Sequence, residues 1–578
     1  LREAPEIKIV VTSRIVLRTS GEQEYLVPPL RLPAPDGIRT AGQAAAVEAI
    51  RLFVERAMAS QPSFALTDSN AATVADIVLR LDGLPLAIEL AAARVKILPV
   101  EALRNRLDAR LSVLTGGARD LPGRQQTIRG AIDWSYDLLE VPDRTLFARF
   151  SVFAAGACLS QAEEVCGPPS ELDQDVLDGL GSLVEKSLAR PVPGSETEPR
   201  FAMLATIREY AMERLVASED ADAIHRRHTA AFLALAESSA SELTGPSGRR
   251  WLDRLELDHD NLRASIDRAI DRSDVETALR FLAALWRFWQ IRGHLHEAQD
   301  RAGRILALPG VAEQPATLRA RALGGAGSIA YWRGDAADIK RLYTLALDAA
   351  RKSDDKAVLA ESLYNYSFSV NTDEWLKTSQ FLPDEESVAE ALEIYRGLGD
   401  ERGIANTSWA LGLGAITARD WDAGRRYIGD ALRSYRAVSD SFGSGWALFE
   451  LSLIETGAGN LDEAEARVRE AIELFSDVAD LSAIVFMLFD LYEIARRKGD
   501  AVRSVRLAAA GDALRQRTGT DLALVGPWPD LEIPARPTDG ADLERAWDEG
   551  ARMTAEQALD YALTGTMPEV DGAAAGQV

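Results

Sequence analysis

An acid or its amide returns along the second half of this chain at a fixed interval. Asp400, Asp440 and Asp480 are 40 residues apart, and so are Asp420, Asn460 and Asp500. Two interleaved series of this kind leave few folds open. Each of these side chains suits a helix N-cap, and Gly459 and Gly499, like Gly334 before Asp335, suit the left-handed end of the helix before. The pattern predicts antiparallel helix pairs. Leu411, Leu451 and Leu491 align between units, as do Gly412 with Ser452, Gly424 with Ala464, and Ala431 with Ala471. Small residues there allow close helix approach, and the leucines are expected to fill the seam. Gly327 and Ala346 fit the same frame one insertion earlier. A lone pair cannot bury its apolar face, so stacking into a superhelix with a concave wall follows.

Six units fit residues 274–314, 315–354, 355–399, 400–439, 440–479 and 480–519, the third with an insertion at 371–377. Their small-residue logic resembles the tetratricopeptide repeat, with helices longer than its ~34-residue consensus. Trp286, Trp289, Trp332, Trp409 and Trp446 lie on these helices. Most are expected in the core, with one or two on the concave wall to anchor a protein or small-molecule partner.

Acids outnumber bases by 89 to 65, a formal charge of −24, which opposes a phosphate-binding surface as the dominant feature. Two cysteines, Cys158 and Cys166, cannot build a disulfide framework, so a cytoplasmic location is expected. No apolar run reaches the ~18 residues of a membrane span. The first residue is Leu rather than Met, as expected of a piece of a longer protein.

The stretch Arg80-Leu-Asp-Gly-Leu-Pro-Leu-Ala-Ile-Glu-Leu-Ala-Ala-Ala-Arg94 joins two helices. Gly83 ends one, and Pro85 starts the next where its missing N–H costs nothing. Leu86, Leu90 and Ala93 are expected to form its apolar face. Upstream, Ile7-Lys-Ile-Val-Val-Thr-Ser13 reads as a buried strand with Thr12 and Arg14 at its C-terminal end. By themselves these are a helical joint and a strand followed by a surface arginine. Together they resemble the GLPLA and sensor-1 motifs of the NB-ARC class of STAND signalling ATPases, in particular the bacterial AfsR-like regulators. That family is often fused to nucleotide cyclase or DNA-binding domains. The resemblance implies ATP or ADP as cofactor, Pro85 against the adenine, Arg14 at the γ-phosphate, and Thr12 and Gly83 beside them. Magnesium is implied only where the upstream half-domain is present. The chain holds no G-x-x-x-x-G-K-[ST] phosphate loop and no acidic Walker B strand, so by itself it is expected to be inactive as an ATPase.

Before the joint come a proline-rich connector (27–35), an amphipathic helix (44–57) and a helix capped by Ser69 or Asn70. After it, a loop at 115–124 leads to a helix over 126–139, with Ile128, Ile132, Leu138 and Leu139 inward. Further helices follow, the last over 175–186, and then a two-stranded hairpin ending at Arg200-Phe-Ala-Met-Leu204. This order resembles the family's winged-helix domain, down to Asp133-Trp-Ser-Tyr136 and Thr206-Ile-Arg-Glu-Tyr210. Where relatives carry Met-His-Asp, with its histidine on the ADP β-phosphate, this chain has Met203-Leu204-Ala205. The helix 175–186 is acidic, so packing rather than DNA reading is expected of it. The pairs His225/His228 and His294/His296 show no third ligand in sequence, and no metal is assigned.

The fold class is therefore mainly α: a remnant of a P-loop α/β domain (1–36), a helical lid (37–115), a winged helix (116–218), a helical linker (219–273), TPR-like repeats (274–519) and a C-terminal helix pair with a disordered tail (520–578). The function expected is the sensor portion of a nucleotide-controlled STAND switch in a transcriptional or cyclase-linked regulator, with self-association on activation open. The alternative is a non-catalytic repeat scaffold with an inert nucleotide remnant, which the leucine and alanine at 204 and 205 favour.

Overall fold

The computed structural model describes residues 23, 25, 27–34, 38, 40–107, 128–194, 198–370, 383–520, 535–538 and 540–567. The expected strand at 7–13 with Thr12 and Arg14, the loop at 115–124, the insertion at 371–377 and the tail after 570 lie outside them. The chain forms two compact units, 1–231 and 232–578. Both are built mainly of helices. None of those described is long and apolar enough to cross a membrane.

In the first unit, short helix Ala41–Ala45 precedes helix Glu48–Ser60, which ends at the expected Gln61-Pro62 break. Thr67, rather than Ser69 or Asn70, caps the next helix, Asp68–Arg80. Asn70 sits at its third position and reaches back to the Thr67 amide at 2.8 Å, closing a reciprocal cap. Helix Pro85–Ala93 packs on Glu48–Ser60 through Ala87, Ile88, Leu90, Ala91 and Ala92. Its buried face is rotated from the expected one: Leu86 is half-buried and Ala93 exposed.

Helix Ile128–Asp137 then begins the winged-helix region. Ile132 and Leu139 face inward as expected, but Leu138 is 42% exposed. Helix Val141–Phe150 buries Leu146, Phe147 and Phe150. Leu159–Cys166 and Val176–Glu185 follow, the latter capped by the Asp175 carboxylate on the Leu177 amide at 2.8 Å. The expected hairpin has a third strand. β1 (Ala157–Cys158), β2 (Arg190–Val192) and β3 (Arg200–Ala202) form an antiparallel sheet in the order β1-β3-β2. Two residues were too short a run to show in the sequence. Buried Arg200 holds this edge, donating to the carbonyls of Ala155 and Gly156 at 3.2 and 3.0 Å.

In the second unit the repeats are antiparallel helix pairs. Asp400, Asp420, Asp440, Asp480 and Asp500 each cap a helix by accepting from the amide three residues on, at 2.8 to 3.1 Å. Asn460 stands at the same register without that bond, because its amide donates to Glu455 at 2.7 Å instead. The small positions bring the paired helices close: a Cβ at Gly412 would lie 2.4 Å from Ile428, and Ala431, Ala464 and Ala471 are fully buried. Leu491 is buried, but Leu411 and Leu451 are half-buried, and Leu413 and Leu453 fill the seam beside them.

The array curls back on itself. Helix Val275–Ile291 of the first pair meets helix Leu481–Lys498 of the last, where the Ser482 hydroxyl donates to the Gln290 carbonyl at 2.6 Å. Trp332 packs against Trp446 with ring centroids 5.4 Å apart and planes tilted by 58°, and both touch Phe486.

Candidate functional site: the helical joint and the winged helix

The joint turns on two consecutive left-handed residues, Asp82 (φ 55°) and Gly83 (φ 66°). Asp tolerates that region better than most side chains, and Gly adopts it without cost. The connector crosses directly above. The Leu30 amide donates to the Gly83 carbonyl at 3.0 Å, and a Cβ on Gly83 would lie 2.4 Å from the Leu30 oxygen. Only glycine fits both the angle and the space. Pro85 occupies the first position of the following helix, and it is exposed. Its ring is thus at the surface, while the helix behind it is anchored on helix Glu48–Ser60.

Asp82 is a site residue that sequence reasoning missed. Its carboxylate accepts from the Ala205 amide at 2.9 Å. Ala205 is the first residue of helix Ala205–Val216, and Leu204 at the N-cap has no side-chain oxygen to offer. Asp82 thus satisfies a helix-end donor from another element and places negative charge at the positive helix end. An acid before a glycine was the sole signal, and it reads first as a turn.

The two aromatic motifs of the winged helix meet. Tyr210 donates to Asp133 at 2.6 Å, and its ring lies 5.6 Å from that of Tyr136. Arg214 lies over the Tyr210 ring, its guanidinium carbon 4.6 Å from the centroid. Burial and the Asp133 carboxylate push the Tyr210 hydroxyl up to about 12, so it stays a donor.

Helix Val176–Glu185 buries Val176, Gly179, Leu180 and Leu183. Its exposed face carries Leu177, Asp178, Gly181 and Glu185, with no lysine or arginine. Lys186, just beyond, is paired with the buried Asp143 at 3.4 Å. This face carries a net negative charge.

Among the repeat tryptophans, Trp289, Trp332 and Trp446 are buried, whereas Trp286 and Trp409 are half-buried. Arg287 packs between the rings of Trp286 and Phe442, at 4.0 and 4.5 Å. Cys158 and Cys166 are buried, and burial pushes the Cys166 thiol up to about 12. The histidines separate by place. His225 and His228 are buried in the first unit, with the His228 ring 5.5 Å from Phe153. His294 lies against His259 and Glu256, a third-group arrangement invisible at the spacing of 35 residues between the two histidines.

Residues 139–216 match the family model of the winged helix-turn-helix domain. Over 436 residues, 73% of this chain, the sequence is 33% identical to a putative HTH-type transcriptional regulator of Mycobacterium tuberculosis, of which the match covers 46%. The same figures hold for a putative HTH-type transcriptional regulator of Mycobacterium bovis. An uncharacterized protein of Mycobacterium tuberculosis is 36% identical over 230 residues, 39% of this chain and 55% of that protein. The chain thus spans about half the length of the curated relatives it matches. Among solved structures, a Rap protein complexed with competence and sporulation factor aligns with a TM-score of 0.37 at 16% identity, covering 50% of this chain and 79% of that one. The chain thus carries a winged helix-turn-helix domain followed by TPR-like helix pairs, and it is similar to these putative regulators over 73% of its length.

Proposed function

We propose that this chain is the sensor portion of a nucleotide-controlled regulatory switch of the STAND type. In this reading ADP holds the lid and the winged helix together, ATP releases them, and the repeat array takes the signal as a protein or small ligand. The observation that carries it is the Asp82–Ala205 bond, because it ties the joint that would contact adenine to the first turn of a winged-helix element. In this reading Pro85 stacks on the base, Gly83 permits the turn, and Arg14 is the residue assigned to the γ-phosphate, with Thr12 as a further nucleotide-binding residue. A guanidinium suits that contact by donating two parallel bonds to phosphate oxygens. The sensed ligand must bind the released state more tightly, since equal affinity for both states shifts nothing. In this reading the winged helix packs internally rather than reading DNA.

The test is calorimetric titration of ADP and ATP into the natural protein that contains this chain. Pro85→Ala is expected to weaken both nucleotides alike, and Arg14→Ala to weaken ATP while sparing ADP. Wild-type affinity for both nucleotides in both variants overturns the reading. One observation favours the second reading, a repeat scaffold with an inert nucleotide remnant: Leu204, at the position where the resembled family's motif carries its phosphate-binding histidine, has no polar group to offer and serves only as the N-cap of helix Ala205–Val216.

A further inference from the structure

Two short segments far apart in sequence meet in the second unit. Glu256 lies in the last turn of helix Gly248–Leu257 and His259 begins helix His259–Asp271, while His294 is the N-cap of helix Leu295–Leu306. One potential donor atom from each of Glu256, His259 and His294 lies within 4.8 Å of the other two. His294 Nε2 is 3.0 Å from Glu256 Oε2, and the two imidazole rings have centroids 4.4 Å apart.

We infer that Glu256, His259 and His294 bind a borderline divalent transition-metal ion of the zinc class. Two imidazoles and a carboxylate are a donor set that zinc accepts, with water as fourth ligand, whereas calcium and magnesium prefer oxygen alone. Tetrahedral zinc bonds of ~2.0–2.1 Å require donors roughly 3.3 Å apart. The present separations close to that by side-chain rotation of Glu256, which is exposed, and His294, which is half-buried.

A second observation points the same way. His259 is only 6% exposed, and its Nε2 has no hydrogen-bond partner among the described residues. A Glu256–His294 hydrogen bond alone leaves that nitrogen unsatisfied, which is costly in a buried site. The neighbouring carboxylate does not relieve it. Glu297 Oε1 is 3.6 Å from His259 Nε2, but it already accepts from Arg263 Nε at 2.9 Å and Arg301 Nε at 2.7 Å. Glu297 is thus committed to arginine, and Glu256 is the available carboxylate. Arg292, the nearby cation beside Glu256, is paired with Asp253. A bound ion would brace the corner before the repeats against the turn of the first repeat.

The test uses the full chain, free of any histidine tag and stripped with a chelator, titrated with Zn²⁺ against a chromophoric competitor. Co²⁺ serves as a spectroscopic substitute. One Zn²⁺ per chain is expected, with intense visible Co²⁺ bands of tetrahedral character. Affinity should fall at least about ten-fold in His294→Gln and in Glu256→Gln. His296→Gln, which removes an exposed histidine outside the cluster, should bind as wild type. Far-UV circular dichroism confirms that each variant keeps its helices. Absence of Zn²⁺ binding by the wild-type chain, or unchanged affinity in both His294→Gln and Glu256→Gln, overturns the assignment.

Discussion

The carboxylate of Asp82 accepts a hydrogen bond from the backbone amide of Ala205, 2.9 Å away and 123 residues later in the chain. The acceptor belongs to a turn that holds its carboxylate in a left-handed residue, and the donor belongs to a helix end without a cap of its own. Each local structure is incomplete alone. Together they make a polar link between the helical joint and the winged-helix region.

Replacing Asp82 by alanine removes the cap and puts a disfavoured residue at φ 55°. Asp82→Ala is expected to cost about 1–2 kcal/mol in urea denaturation. Asp82→Asn should cost less, since asparagine tolerates the left-handed region and its carbonyl can accept the same bond. Equal stability of Asp82→Ala and wild type would show the bond to be incidental.

Gly83 and Gly181 should respond to alanine in opposite directions. At Gly83 the new Cβ would meet the Leu30 carbonyl at 2.4 Å in a backbone at φ 66°, so a loss above roughly 2 kcal/mol is expected. Gly181 sits on the exposed face of a helix with open space around it. There alanine should add roughly 0.5–1 kcal/mol through helix propensity. Thermal melts of the two variants decide the matter.

The winged helix is expected to form no salt-sensitive complex with duplex DNA at physiological ionic strength. Asp178 and Glu185 occupy the exposed face of helix Val176–Glu185, and Lys186 is held by Asp143. Fluorescence anisotropy on a labelled duplex checks this. A complex that disappears on mutating residues 175–186 would reverse the conclusion.

Glu450 is buried among the repeat helices, and burial, reinforced by Asp490, pushes its carboxyl up to about 8. Asp490 itself is raised to about 7 by burial. Both groups hold protons in the folded chain that the unfolded chain has released at neutral pH. Their contribution to stability is therefore full below the ordinary carboxylate range and falls as pH rises through 7 to 8. Glu450→Gln should leave the melting temperature unchanged near pH 4 and raise stability at pH 8.5, by on the order of 2 kcal/mol. A wild-type profile that rises between pH 5 and 8, with the variant parallel to it, would contradict this.

What the sequence determined is what short stretches settle among themselves. The caps at Asp400, Asp420, Asp440, Asp480 and Asp500 bond three residues ahead, so a 40-residue recurrence was enough to place the helix pairs. Pro85 at the first helical position was legible for the same reason: a fixed φ and a missing N–H act on the residue that carries them. The buried face of that helix was not legible, because Ala87, Ile88 and Ala91 point inward only once helix Glu48–Ser60 has come to rest on it. Nor could β1 be read, since Ala157 and Cys158 form a strand only by pairing with Phe201 and Arg200. The Asp82–Ala205 link and the Glu256, His259 and His294 cluster belong with these. Neither spacing nor periodicity carries information about them, because the bonds and close contacts in question run between segments tens of residues apart, and their geometry exists only after those segments have packed.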